Sequence, residues 1–285
     1  MKHFSEIVTP RSPEEAVQLR QAAGIRGLYL AGGTMVVPLA VKAVEVLIDI
    51  SRLEPAELSH VEPGDGKVSL GALTKLADLV SPGIKADLPL VHEAVRRLAT
   101  PLIRNAATVG GALAVAHLPS DLAVALLAAD ARIDLVRERP ITMALEDLLA
   151  QGWLKGHDLI LKVEVPKRQP GQGEHFAKFG RNAIDIALVN AAVSLRLAGG
   201  KIEHLRVVVG QTSSRPVLLK DVAEAARGKQ VSIPLLGDLA RQAAASLKPR
   251  ADFRASAEYR AHLVEVLVAR SLAAAAADAG ARLDN

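Results

Sequence analysis

The chain has 285 residues, of which half are hydrophobic and only 2% are aromatic. It contains no cysteine, which excludes disulfides and any iron–sulfur or thiolate–zinc site supplied by this chain alone. The net charge of +4 is not gathered in a basic stripe with stacking aromatics, so no nucleic-acid partner is expected. No apolar run is long enough to cross a bilayer, so we expect a cytoplasmic protein without a membrane span.

The first half of the chain predicts a mixture of short helices and strands. Ser12 followed by Pro13 and Glu15 is typical of a helix N-terminus, and Gly24 ends that helix. Strands are predicted over Leu28–Leu30, Val46–Ile50, Val68–Leu70, Ile133–Val136 and Leu159–Val165. Helices are predicted over Lys75–Val80, Leu90–Ala99 and Leu122–Ala129, the last with Ser120 or Asp121 as its cap.

The segment from Pro166 to Gly173 is the clearest break in composition and predicts a domain boundary. Beyond it, two strands flank Ala198-Gly199-Gly200-Lys201, which indicates a hairpin. Helices follow over Leu219–Arg227, Leu235–Ser246 and Ala257–Ala277. Strands and helices alternate irregularly, and no G-x-G-x-x-G follows a strand. The sequence therefore predicts an α+β fold rather than a regular doubly wound sheet.

Two glycine pairs, each beside a threonine, are the most informative local feature. One is Ala31-Gly32-Gly33-Thr34, and the other is Thr108-Val109-Gly110-Gly111, within a nearly uncharged segment expected to be a long loop. Glycine lets the backbone approach a ligand closely and lets successive N–H groups converge on an anion. The pairs therefore indicate two loops that hold one diphosphate, although a tight turn would also require glycine.

Three ordered motifs resemble the FAD-binding medium subunit of the molybdenum hydroxylases, the xanthine dehydrogenase and carbon monoxide dehydrogenase family. They are Ala31–Thr34, Ile103–Gly111 followed by Ser120-Asp121, and Arg181–Ala192. The resemblance covers almost the whole chain. It implies a two-lobed FAD-binding domain of the p-cresol methylhydroxylase and vanillyl-alcohol oxidase type over residues 1–170, with lobes of approximately 1–53 and 54–170. A smaller α+β domain would follow over 174–285.

The resemblance also implies the cofactor contacts, and it assigns neither a catalytic residue nor a metal ligand. One side of the FAD diphosphate would be contacted by Leu30, Ala31, Gly32, Gly33, Thr34, Met35, Val36 and Val37. The other side would be contacted by Thr108, Val109, Gly110, Gly111 and Ala112. Asp121 matches an acidic cofactor contact, Ile160 or Leu161 would touch the isoalloxazine ring, and Lys178 would lie near the flavin. Ile186 stands where some relatives have a tyrosine over the ring.

Structural interpretations of the same residues stay open. Asp121 would serve equally as a helix cap, and Lys178 as an exposed strand lysine. Arg181 and Asp185 are expected to pair with each other. His117 would be either a cofactor donor or an exposed loop residue.

The function implied by the resemblance is electron transfer within a larger oxidoreductase. FAD on this chain would receive electrons from iron–sulfur clusters on a small subunit and pass them to an external acceptor, while a molybdopterin large subunit oxidises the substrate. One alternative is a structural subunit with weakened or lost FAD binding, which Ala112, Met35 and Leu118 favour because they depart from the family motifs. The other alternative is a self-contained flavin reductase.

Overall fold

The computed structural model describes residues 4–39, 44–53, 58–114 and 121–283, and the chain forms two compact units. The first unit comprises residues 1–78, 100–115 and 131–165. The second comprises residues 79–99, 116–130 and 166–285. Two segments from the first half of the chain are thus part of the second unit. The domain boundaries at residues 170 and 174 stay a prediction.

Short strands and helices make up both units. The strands are β1 (Glu6–Val8), β2 (Gly27–Leu30), β3 (Val46–Asp49), β4 (Val61–Pro63), β5 (Lys67–Gly71), β6 (Arg132–Val136), β7 (Pro140–Ala144), β8 (Leu159–Pro166), β9 (Gln172–Phe179), β10 (Val189–Ala198), β11 (Lys201–Gly210) and β12 (Val217–Leu218). The helices are α1 (Pro13–Ala23), α2 (Val36–Leu39), α3 (Pro82–Asp87), α4 (Pro89–Arg96), α5 (Pro101–Ala106), α6 (Val109–Ala114), α7 (Asp121–Ala128), α8 (Leu145–Ala150), α9 (Lys220–Ala226), α10 (Ile233–Ala245) and α11 (Ala257–Asp278).

A parallel sheet of order β1-β3-β2 and helix α1 form the first part of the first unit. The Ser12 hydroxyl accepts from the Glu15 N–H and the helix ends at Gly24, which confirms the predicted capped helix. Apolar side chains of α1 and β3, among them Val17 and Ile48, pack in one buried cluster. Strand β2 ends at Leu30, directly before the first glycine pair.

A five-stranded sheet of order β4-β5-β8-β6-β7 completes the first unit. Its long strand β8 confirms the strand predicted over Leu159–Val165. Val163 and Val165 are buried, whereas Leu161 is only half-buried. Strand β8 pairs antiparallel with β6, with an irregularity between Asp134 and Leu135.

The second unit contains an antiparallel sheet of order β12-β11-β10-β9, covered by the long helices α10 and α11. The predicted hairpin is confirmed, because β10 and β11 pair across a two-residue turn. Gly199 and Gly200 both have positive φ there, as a tight hairpin turn requires. The hydrophobic core lies between this sheet and the helices, with Val193, Val207 and Val264 fully buried.

The structure differs from the predicted elements in the segment around the second glycine pair. The expected long loop contains two short helices, α5 and α6. Thr100 caps α5 and Pro101 begins it, a local signal that the glycine content concealed. The predicted helix over Lys75–Val80 is a 3-10 helix over Leu76–Val80, and the one predicted to reach Ala99 ends at Arg96.

We expect Gly173→Ala to lower the free energy of unfolding by about 2–3 kcal/mol, because overpacking strains a well-packed contact. A Cβ at Gly173 would lie 1.9 Å from the Ala275 carbonyl oxygen and 2.5 Å from the Ala279 nitrogen. Gly83→Ala is the matched control, since its Cβ would meet nothing within 4 Å. Urea denaturation of both variants measures the difference, and equal midpoints would contradict the expectation.

Candidate functional site

The first glycine pair forms a turn between strand β2 and the short helix α2. Gly33 has φ +68°, a conformation that glycine adopts without strain. The Gly33 carbonyl accepts a hydrogen bond of 3.1 Å from the Val37 N–H. Residues 31–36 are half-buried and Val37 is exposed. The turn is thus stabilised by a hydrogen bond within its own backbone.

This turn presents a run of backbone donors. Within the described residues, the N–H groups of Gly32, Gly33, Thr34 and Met35 donate to no other group of the protein. Successive N–H groups around a residue with positive φ form a concave surface that binds anions. We call residues 32–35 the amide cradle. Its backbone suits a phosphate group.

The amide cradle touches the segment that precedes the second glycine pair. A Cβ on Gly32 would lie 2.0 Å from the Ala106 carbonyl oxygen and 3.1 Å from the Ala107 Cα. Only glycine permits two backbones to approach so closely. The structure therefore brings the first predicted segment against the residues that directly precede the second.

The second glycine pair has a different role from the first, because its backbone donors are already used. The N–H groups of Val109 and Gly110 donate to the carbonyls of Thr74 and Ala72 at 3.0 and 2.8 Å. The Gly111 N–H donates to the hydroxyl of Thr108, which is 2% exposed, and the Ala112 N–H donates to the Thr108 carbonyl.

The glycine at position 110 is explained by packing within the chain. A Cβ there would lie 3.0 Å from both the Cβ and the carbonyl oxygen of Ala72. The side chain of Trp153 fixes the other end of the same helix, since its indole N–H donates to the Leu113 carbonyl at 3.0 Å. Trp153 is buried. Both ends of helix α6 are thus held by contacts within the first unit.

Asp121 and Lys178, both predicted cofactor contacts, meet inside the second unit. The Lys178 ammonium donates to Asp121 Oδ2 at 2.8 Å and to the Arg97 carbonyl at 2.9 Å. The Asn190 amide donates to Asp121 Oδ1 at 2.6 Å. The Lys178 side chain is only 6% exposed, so it is not the exposed strand lysine of the structural interpretation. Each predicted contact is thereby a partner of the other.

Burial dominates the electrostatics of this cluster. Removal from water raises the pKa of the Asp121 carboxyl, and the Lys178 charge opposes that shift. Asn190 is fully buried, and its Oδ1 has no hydrogen-bond partner within the described residues. That oxygen lies over Gly210, where a Cβ would be 2.1 Å away. Asn190 belongs to the third sequence motif, Arg181–Ala192, but no local signal identified it as the partner of Asp121.

The remaining predicted contacts are distributed over both units. Ile160 is 5% exposed and Leu161 is half-buried, both on strand β8. Ile186 is 47% exposed in the loop before β10, where Arg181 and Asp185 form the expected ion pair at 2.7 Å. The predictions for His117, Leu118 and Ser120 lie outside the described residues. Among the described residues there is no cluster of three potential metal ligands, and no helix is long and apolar enough to cross a membrane.

Two family models match the chain in succession. Residues 2–168 match the FAD binding domain in molybdopterin dehydrogenase, and residues 174–275 match the CO dehydrogenase flavoprotein C-terminal domain. The chain belongs to this family. It is an FAD-binding subunit of the molybdenum hydroxylases, as its three sequence motifs indicated.

Individual relatives agree with the family models along nearly the whole chain. The glyceraldehyde dehydrogenase medium chain of Sulfolobus acidocaldarius is 32% identical, covering 85% of this chain and 88% of the relative. The carbon monoxide dehydrogenase medium chain of Hydrogenophaga pseudoflava is 31% identical over 95% and 96% of the two chains. A solved structure of carbon monoxide dehydrogenase from the same organism, lacking the Mo-pyranopterin moiety, superposes with a TM-score of 0.90 at 29% identity. It covers 98% of this chain and 99% of that chain. The predicted α+β fold is confirmed.

We expect Lys178→Met to destabilise the protein by about 3 kcal/mol near neutral pH, because it leaves Asp121 buried without its cation. Burial already raises the pKa of Asp121 above the ordinary 3.8, and loss of Lys178 would raise that pKa further. A raised carboxyl pKa removes stability as the pH rises. The deficit of the variant relative to wild type should therefore grow as the pH rises above the ordinary pKa of an aspartate.

Chemical denaturation at several pH values tests this dependence. The double variant Asp121→Asn/Lys178→Met is the control, because it removes both charges and its deficit relative to wild type should not grow as the pH rises. A constant deficit in the single variant would show that Lys178 does not neutralise Asp121.

Proposed function

We propose that this subunit binds one non-covalent FAD, with the diphosphate on the amide cradle at residues 32–35. The supporting observation is the run of four backbone N–H groups that no group among the described residues accepts, in a turn whose Gly33 has φ +68°. An FAD diphosphate carries negative charge on several oxygens. Backbone donors can satisfy those oxygens without any side chain.

The rest of the predicted cofactor contacts complete the proposal. Leu30, Ala31, Val36 and Val37 flank the amide cradle, and Thr108–Ala112 support it from the neighbouring segment. Because the donors of residues 109–112 are used within the chain, this second segment would contribute shape rather than hydrogen bonds. Ile160 or Leu161 would contact the isoalloxazine ring. Asp121 and Lys178 remain proposed cofactor contacts, as a fixed pair of charges.

We propose electron transfer as the activity. FAD can accept single electrons and release two together, and the protein supplies its placement and electrostatic surroundings. The chain has no cysteine to hold an iron–sulfur cluster. The clusters would therefore be held by a small subunit and the molybdopterin by a large subunit, in the cytoplasm, with this chain passing electrons to an external acceptor. Relatives named medium chain or medium subunit support such an assembly.

A structural subunit without FAD is the competing function, and one observation favours it. The second glycine segment offers no free N–H over residues 109–112, and Ala112 has no side-chain amide to replace one. An absorbance spectrum of the protein purified with its partners separates the two functions. Flavin bands, with flavin released into the supernatant by acid, support the proposal, whereas a protein that stays colourless after incubation with FAD contradicts it.

Electron transfer within a larger assembly needs its own experiment. Co-purification from the native host, followed by metal analysis and subunit identification, should give an assembly containing molybdenum and iron in addition to FAD. A chain that is isolated alone, free of iron, and that oxidises an organic substrate would instead be a self-contained flavoenzyme.

We expect Gly33→Val to raise the FAD dissociation constant about 100-fold or more, because several charge-assisted hydrogen bonds depend on the local backbone. Valine disfavours φ +68° and would place methyl groups beside the donors. Gly66→Val is the matched control, since Gly66 has φ +70° in the β4–β5 turn with nothing near its Cβ. Fluorescence titration with FAD measures both. If the two variants bind FAD equally well, residues 32–35 are an ordinary turn.

A further inference from the structure

Lys75 is a half-buried cation close to the amide cradle, and no sequence motif identifies it. Its ammonium donates to the Ala106 carbonyl oxygen over a long 3.3 Å. Within the described residues it forms no ion pair with a carboxylate. Among the residues that the structure describes, other partly buried cations have such a partner, as Lys178 and Arg137 do. A cation placed in this way has unused capacity for an anion.

The backbone around Lys75 is fixed by the second glycine segment. Lys75 and Thr108 form an isolated antiparallel bridge, and the Leu76 N–H donates to the Ala107 carbonyl at 2.9 Å. The Val109 and Gly110 donors hold Thr74 and Ala72 on the same segment. The N–H groups of Val109 and Gly110 are therefore not free for a ligand. They position the backbone that carries Lys75 instead.

The Ala106 carbonyl oxygen joins Lys75 to the amide cradle. It accepts from the Lys75 ammonium, and it lies directly against the Gly32 backbone, 2.0 Å from where a Cβ would stand. The Lys75 ammonium and the Gly32 backbone thus both lie against this one carbonyl oxygen. We propose that Lys75 is the counter-ion of the FAD diphosphate bound at the amide cradle.

This inference rests on the proposed function and adds a positively charged side chain to the proposed diphosphate site. Neutral N–H groups bind phosphate oxygens but do not neutralise them, and a half-buried ammonium does so with less screening than an exposed one. Lys75 can turn from the long contact with Ala106 toward a phosphate oxygen without leaving a carboxylate unpaired. The net charge of the chain then matters less than this single lysine.

The test is titration of the purified full chain with FAD at two or more salt concentrations. Lys75→Gln keeps a donor for Ala106 but removes the charge, and we expect a dissociation constant about tenfold higher. Lys75→Arg should remain within about threefold of wild type, because the charge is retained. Lys85→Gln is the matched control, since it removes the same charge from an exposed position on helix α3 and should bind FAD as wild type does.

Salt dependence separates a charge effect from a change in shape. The dissociation constant of wild type should rise with salt more steeply than that of Lys75→Gln. Equal affinities in Lys75→Gln and Lys85→Gln would overturn the role of Lys75 while leaving FAD binding intact. Equal losses in Lys75→Gln and Lys75→Arg would also overturn it. Failure of the wild-type chain to bind FAD would instead contradict the proposed function itself.

Discussion

The contact between the Gly32 backbone and the Ala106 carbonyl is the constraint on which the first unit depends. It joins the turn after β2 to the end of α5, two segments more than 70 residues apart in the sequence. Because no side chain lies between them, the geometry has almost no freedom to adjust. Among the described residues, the N–H groups of residues 32–35 have no acceptor. The N–H groups of residues 109–112, by contrast, all donate within the chain and hold that segment in place.

In the second unit a glycine also permits a close approach, in this case by a side chain. Gly210 allows the Asn190 amide to lie against the strand, and the amide in turn fixes the carboxylate of Asp121. Lys178 supplies the opposite charge. A buried carboxylate with two partners has one well-defined orientation.

Features set by neighbouring residues could be predicted from the sequence. Ser12 and Pro13 specify the first helix, and Gly199-Gly200 specify the hairpin, because each signal acts within a few residues. The motif resemblance identified the family. The pairing of Asp121 with Lys178 and Asn190, and the contact of Lys75 with Ala106, could not be read in this way, since they join residues tens of positions apart. The glycine pairs also looked alike as sequence, although hydrogen bonding gives them opposite roles.

Trp153 makes the state of this arrangement visible by optical means. It is the only tryptophan of the chain, and its indole N–H is bonded to the last turn of the helix that begins with the second glycine pair. Its backbone has φ +73°, a conformation that costs about 1–3 kcal/mol and persists only where the surroundings enforce it. Its ultraviolet emission therefore reports on one place alone. A red shift would mark the moment at which solvent enters beneath helix α6, so that loosening of the first unit can be followed without any added label.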